Sequence, residues 1–246
     1  MPSSTVNSRL APLTLLLLVP AAWALRPLER HAEAFAKPRV WQHEQLAASA
    51  GQGSALAALG GLRSVAAGGW WLRANLAWEQ RDLSATPTLL RQTVAVDERP
   101  LYFWLNGARI LACDLPEWRL NSLMPAALRP KIEEEQAQQA LQFLEQGLRW
   151  HGPAADLYIE MANIHLRRRG DATSAARFYR LAAGQPDAPY FAARIHAELL
   201  RELGRKEEAL AWLRQILPGL PEDDPLARRD VVLDRIKSLE AELAAR

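Results

Sequence analysis

Metal or acid–base chemistry in this chain would have to be built from five histidines, one cysteine and the run Glu133-Glu134-Glu135. Zinc takes four protein ligands in structural sites and three in catalytic ones. His31, His43, His151, His165 and His196 are scattered. His165 and His196 come from successive segments and could approach each other on neighbouring helices, but no third ligand recurs in phase with them. They read as surface or interfacial histidines. A single cysteine, Cys113, permits neither an internal disulfide nor a thiolate cluster, and it reads as a small buried apolar residue. The three glutamates suit the positive end of a helix dipole and read as a solvated helix start. Nucleotide chemistry also lacks its frame: Gly51 and Gly53 have no third glycine and no preceding strand. No glycine-rich loop ends in Lys-Ser or Lys-Thr, and there is no zincin His-Glu pair and no Gly-x-Ser-x-Gly elbow. No catalytic residue, no metal site and no cofactor is assigned, and the chain is read as a non-enzyme.

What remains is recognition chemistry. Thirty basic and 28 acidic residues leave a formal net charge of +2, too balanced for the cationic footprint of a nucleic-acid binder. Nine tryptophans are many for 246 residues. Trp71 and Trp78 are seven apart and so share a helix face, while Trp70 lies about 100° round from Trp71. Trp70 and Trp104 read as packing between helices; an exposed Trp71/Trp78 pair would anchor a peptide. Arg109, Arg167, Arg194 and Arg201 carry planar forks that bind carboxylates bidentately, and Asn75 lies between Trp71 and Trp78. Arg167-Arg168-Arg169 also suits a helix C-terminus, and Glu160, Glu198 and Glu202 dilute any cationic field.

These side chains need elements to carry them, and an internal period supplies the elements. At a spacing of 34 residues Gly170 returns as Gly204, Ala175 as Ala209, Phe178 as Trp212, Leu166 as Leu200 and Tyr179 as Leu213. Upstream, Trp70 returns as Trp104, Ala74 as Ala108 and Ala77 as Leu111. Small and large apolar residues recurring in phase at this period mark stacked helix–turn–helix units.

Residues 31–52 read as a weak helix or linker. Gly60-Gly61 and Gly68-Gly69 predict a break or kink near the first pair and a firm helix over 69–80. Asp82 or Ser84 caps a helix over 86–96, with Pro87 in its first turn. The next helix runs from 101 through 113. Pro116, Pro125 and Pro130 then disrupt helix, so 114–130 reads as an insertion, and the delayed partner helix spans 132–150. Helices follow over 154–169, 174–183, 189–203 and 206–217. Asp223 or Asp224 opens a last helix near Pro225, with Leu226, Val232, Ile236, Leu239 and Leu243 on its apolar face. No stretch alternates at period two, so no sheet is predicted.

Ala197, Leu200, Gly204, Ala209, Leu213 and Ile216 stand at a spacing that resembles the tetratricopeptide repeat (TPR), and Leu166, Gly170, Ala175, Tyr179 and Ala182 repeat it one unit earlier. The units around Trp70 and Trp104 look like divergent members: Arg81 and Leu115 stand where glycine is usual, and Asn163 replaces a small residue in the third unit. Leu59-Gly60-Gly61-Leu62-Arg63 with Trp71-Leu72-Arg73-Ala74 is similar to an opening found in envelope-anchored bacterial repeat proteins. The resemblance implies an all-α, TPR-like helical-hairpin solenoid of about four pairs over residues 61–221, with a capping helix over 222–246. It also implies a concave wall made by the first helix of each pair, and there Trp71, Asn75, Trp78, Arg109, Arg167, Arg194 and Arg201 would form a groove for a protein or peptide.

The N-terminus points to export. Arg9 precedes an apolar run over residues 10–25, short for a bilayer span but typical of a signal sequence, and Ala22-Trp23-Ala24 suits cleavage. An uncleaved inner-membrane anchor flanked by Arg26, Arg30 and Lys37 is a rival reading, as is a buried helix. Residues 1–25 are taken as leader or anchor and 26–60 as a linker or irregular helical segment. The expectation is a non-catalytic scaffold at the bacterial cell envelope, facing the periplasm, with a protein or peptide partner, membrane contact through the N-terminus and no nucleic acid. The alternative is a structural, self-assembling envelope component that uses the insertion over 114–130 and the N-terminus for membrane or subunit contacts. Oligomeric state stays open.

Overall fold

The computed structural model describes residues 52–120 and 125–245. The leader or anchor expected over 1–25, and the linker or irregular helical segment expected from 26, lie outside the described residues up to residue 51. The chain divides into two compact units, Met1–Gly69 and Trp70–Arg246. The described part of the first unit is helical.

Among the described residues every regular element is a helix and there is no strand. α1 spans Gln52–Glu79, α2 Ala85–Val96 and α3 Leu101–Arg109; α3 continues through a π-turn, Ile110–Asp114, into α4, Leu115–Arg119. After a 3-10 turn at Ala126–Leu128 come α5 (Arg129–His151), α6 (Ala155–Arg168), α7 (Ala172–Ala183), α8 (Tyr190–Glu202), α9 (Lys206–Ile216) and α10 (Arg229–Ala244). Each of α3, α5, α6, α7, α8, α9 and α10 packs on the next in that order, and α3 also touches α6.

Small residues let these helices approach. Ala74, Ala108, Ala140, Ala162, Ala175, Ala192 and Ala209 are each at most 1% exposed. Large residues fill between them, Trp104, Leu111, Leu144 and Leu157 among the most completely buried. Removing one indole from water takes away roughly 200 Å², on the order of 5 kcal/mol at about 25 cal/mol per Å². Trp104 therefore weighs heavily in its hairpin, and its Nε1 donates to the Glu98 carbonyl at 2.8 Å, so no polar group is stranded.

The period-34 pairs fall in matching places. Ala74 and Ala108, Ala77 and Leu111, Ala175 and Ala209, and Tyr179 and Leu213 are all buried. Gly170 and Gly204 both turn the chain with positive φ, +63° and +76°. Arg81, where glycine was expected, takes the same left-handed conformation at φ +54°. Asp82 N–H then donates to Ala77 O just as Arg205 N–H donates to Leu200 O, the six-to-one bond of a Schellman turn. Asn163 fits because the Tyr179 hydroxyl donates to its Oδ1 at 2.7 Å.

Three expectations are corrected. α1 runs unbroken through Gly60-Gly61 and Gly68-Gly69: a helical glycine costs about 1 kcal/mol relative to alanine, too little to stop a helix whose other residues are largely Ala, Leu and Trp. The helix takes in residues from Gln52, the end of the segment read as linker or irregular helix over 26–60. Second, the helix expected to stop at 113 continues to Arg119. Proline in a helix lacks a donor and crowds the preceding turn; the wider π-turn lies immediately ahead of Pro116, and Leu115 and Pro116 are buried. Without a glycine at Leu115 there is no turn there. Third, the last helix begins at Arg229, not near Pro225, because Arg228 is left-handed at φ +47°. Leu226 consequently lies in a loop, 76% exposed, and does not join the apolar face. Val232, Ile236 and Leu239 are buried as expected.

Candidate partner-binding face

The seven residues expected to face a partner all come from first helices of the pairs, α1, α3, α6 and α8. On α1, Trp71 is half-buried, with its ring 5.3 Å from Tyr102 and 5.2 Å from Phe103 of α3. Tyr102 is 57% exposed, so this aromatic group has one wet side. Asn75 spends its amide on its own helix, donating to Trp71 O at 3.0 Å. Trp78 is 38% exposed; its Nε1 donates to Asp114 Oδ2 at 2.7 Å and its ring tilts toward Trp118 at 6.5 Å. That bond fixes the indole without covering it.

The arginines are more committed than their sequence positions indicated. Arg109 reaches from α3 to Glu160 of α6, with nitrogen–oxygen distances of 3.0 and 3.1 Å. Glu160 is 5% exposed, and an ionised carboxylate at such a site needs a partner. Arg201 pairs with Glu198 at 3.0 Å through Nε, and Arg235 of α10 joins the same carboxylate at 3.3 Å. The Arg201 hydrogen bond leads in holding the Glu198 carboxyl below its ordinary pKa, reinforced by the charge of Arg235. Arg194 donates to two carbonyls, Leu226 O at 3.1 Å and Ala227 O at 2.8 Å, and burial lowers its pKa. Arg167 is exposed and, among the described residues, carries no ion pair.

Between α8 and α10 lies an open cleft of about 270 Å³, lined by Phe191, Ile195, Val231 and Val232 with Arg194, Glu198 and Arg235 at its edge. Phe191 and Val231 are 40% and 37% exposed. Sequence reading passed over Phe191, Tyr102 and Phe103. Phe191 and Ile195 are four apart and precede Glu198, a spacing that would have aligned them on one face of α8.

Both candidate histidines of the middle units are buried between helices. His165 stacks on Phe178 at 5.2 Å, its Nδ1 3.4 Å from Asp171 Oδ2 and without a hydrogen bond. His196 stands edge-on to Trp212 at 4.9 Å and its Nδ1 lies 2.8 Å from Ala176 O. Burial leads in lowering both imidazole pKa values. Among the described residues no group of three or more His, Cys, Asp or Glu side chains could hold a metal ion, and no helix is long and apolar enough to cross a membrane. The arrangement offers apolar contact and paired charges, which bind and orient. No protein-family model matches this chain, and no curated protein matches it either.

Proposed function

We propose that this chain is a non-catalytic, TPR-like helical-hairpin solenoid, capped by α10, that holds a protein or peptide segment along the face made by its first helices. Its place would be the cell envelope, exported or anchored through its N-terminus. The observation that carries this reading is how the core is divided. One cluster of buried residues extends from α1 to α8, and a second joins α8, α9 and α10. Helix α8 feeds both, with Ala192 and Leu199 to the first and Ala197 and Leu200 to the second. A helix that packs on neighbours to either side, with no shared centre, is how repeats stack in one dimension. Such a stack leaves its inner wall for a guest, and Trp78, Tyr102, Phe191 and Arg167 are among the first-helix side chains with surface to offer.

The test starts with a partner isolated from envelope extract and identified by mass spectrometry. Its affinity is then measured for the wild-type chain and for Trp78→Ala/Arg167→Glu/Phe191→Ala. Loss of about 2 kcal/mol or more is expected for central aromatic anchors; a folded triple variant that binds the partner unchanged would sink the groove. A self-assembling role is the second reading, favoured by Leu72 and Leu76 on α1, 71% and 54% exposed. Sedimentation of the chain lacking residues 1–24 as a monomer would count against it.

A further inference from the structure

The second helices of the last two pairs frame a site of different character. Thr173, Arg177 and Arg180 stand at i, i+4 and i+7 on α7 and so share one face. Facing them, α9 presents Glu208, Trp212 and Gln215, and between the helices opens a cleft of about 580 Å³. That lies within the range of roughly 300–1,000 Å³ typical of small-molecule sites. Buried His196 and Leu200 of α8 close its floor.

Charge sets the chemistry. Three guanidinium groups, Arg177, Arg180 and Arg205, line this cleft against one carboxylate, Glu208. Arg205 already holds Glu208 through two hydrogen bonds of 2.7 and 2.6 Å. The other two are held only by rings: Arg177 lies 4.8 Å over Phe178 and Arg180 5.8 Å over Trp212. Neither makes an ion pair among the described residues. Stacking on an aromatic face fixes a guanidinium plane and leaves its N–H edge to donate. Two oriented cationic forks, i and i+3 on one helix over a half-apolar floor, are thus set for oxyanions.

We propose that this cleft binds a small organic anion bearing two oxyanion groups, carboxylate or phosphate, one for each unpaired guanidinium. It lies on α7 and α9, away from the face of first helices, so it stands or falls apart from the partner-binding reading. The cleft is too small for a folded domain, and its excess of two positive charges rejects cations.

The full chain is titrated by calorimetry with succinate and with pyrophosphate, using acetate at matched ionic strength as the single-oxyanion control. Saturable binding of succinate or pyrophosphate is expected, with acetate at least about tenfold weaker. Tighter succinate assigns the site to dicarboxylates and tighter pyrophosphate assigns it to phosphates. Arg177→Gln/Arg180→Gln, both at exposed helix positions, should weaken binding at least about tenfold. Glu208→Gln, which releases Arg205, should tighten it by about threefold or more. The proposal is overturned if neither dianion saturates below about 10 mM, if acetate binds equally well, or if either variant titrates like the wild-type chain.

Discussion

The indole of Trp104 lies against Gly147: a Cβ added at position 147 would stand 3.1 Å from Trp104 Cδ2. Four residues before it on α5, Phe143 occupies the space a side chain at Gly107 would need, with Cε1 2.8 Å from the built Cβ. The two rings are 4.8 Å apart. Together these four residues set the spacing of α3 and α5. Gly107→Ala should destabilise by about 1–3 kcal/mol despite the better helix propensity of alanine, because the Phe143 ring is packed and cannot withdraw. Gly147→Ala should cost less, its contact being looser. Urea unfolding with an unchanged slope would measure both.

Arg81 occupies a left-handed turn that suits glycine. Holding an L-residue there costs roughly 1–2 kcal/mol, partly offset by the greater unfolded-state entropy of glycine. Arg81→Gly is expected to stabilise by about 0.5 kcal/mol, whereas Gly204→Ala should destabilise by about 1 kcal/mol or more. A rise in unfolding midpoint for the first and a fall for the second would check the shared turn geometry.

Acid should weaken the fold first through its buried histidines. Burial holds the folded-state pKa values of His165 and His196 below the ordinary imidazole value of 6.5. The unfolded chain therefore binds more protons just below pH 6.5, and stability is lost as pH falls through that window. The carboxylates with lowered pKa values, Asp82, Asp171, Glu198, Glu208 and Glu242, add their loss only below the ordinary carboxylate values of 3.8 and 4.5. Unfolding midpoints at pH 7.5 and 5.5 should differ in the wild-type chain and differ less in His196→Asn, whose amide can still donate to Ala176 O.

The loop before α10 is held by two arginines. Arg194 donates to Leu226 O and Ala227 O, and Arg229 donates to Leu217 O at 2.6 Å and Leu220 O at 3.1 Å. Arg194→Met should destabilise by about 1–3 kcal/mol by orphaning the carbonyl of buried Ala227, and Arg194→Lys should restore part of it, since both bonds leave one guanidinium nitrogen and a single ammonium can donate twice. Faster amide exchange across residues 220–228, larger in Arg194→Met than in Arg194→Lys, is the expected signature.

Much of the helical order was legible because burial patterns repeat. Helices α6 to α9 lie within one or two residues of their expected bounds, since Gly170, Gly204 and the prolines punctuate a clear apolar rhythm. The candidate face was legible only as a set of positions. Trp78 has surface to offer, but Arg109, Arg194 and Arg201 already serve Glu160, the 226–227 carbonyls and Glu198. The i,i+3 spacing already pairs Arg201 with Glu198, but no spacing rule reveals the other two, because their acceptors lie on another helix or in a loop whose path follows from packing.

By itself, then, the order of residues determined the helical character, the hairpin punctuation in the second half and the buried alanines, all of which follow from local propensity and a period shared by neighbouring units. Tertiary structure alone decided the π-turn ahead of Pro116, the late start of α10 and the partners of Arg109 and Arg194. Those outcomes turn on competition between a modest local cost, about 1 kcal/mol for an unfavourable φ, and contacts made far along the chain. A linear reading sees the cost and not the contact that outweighs it.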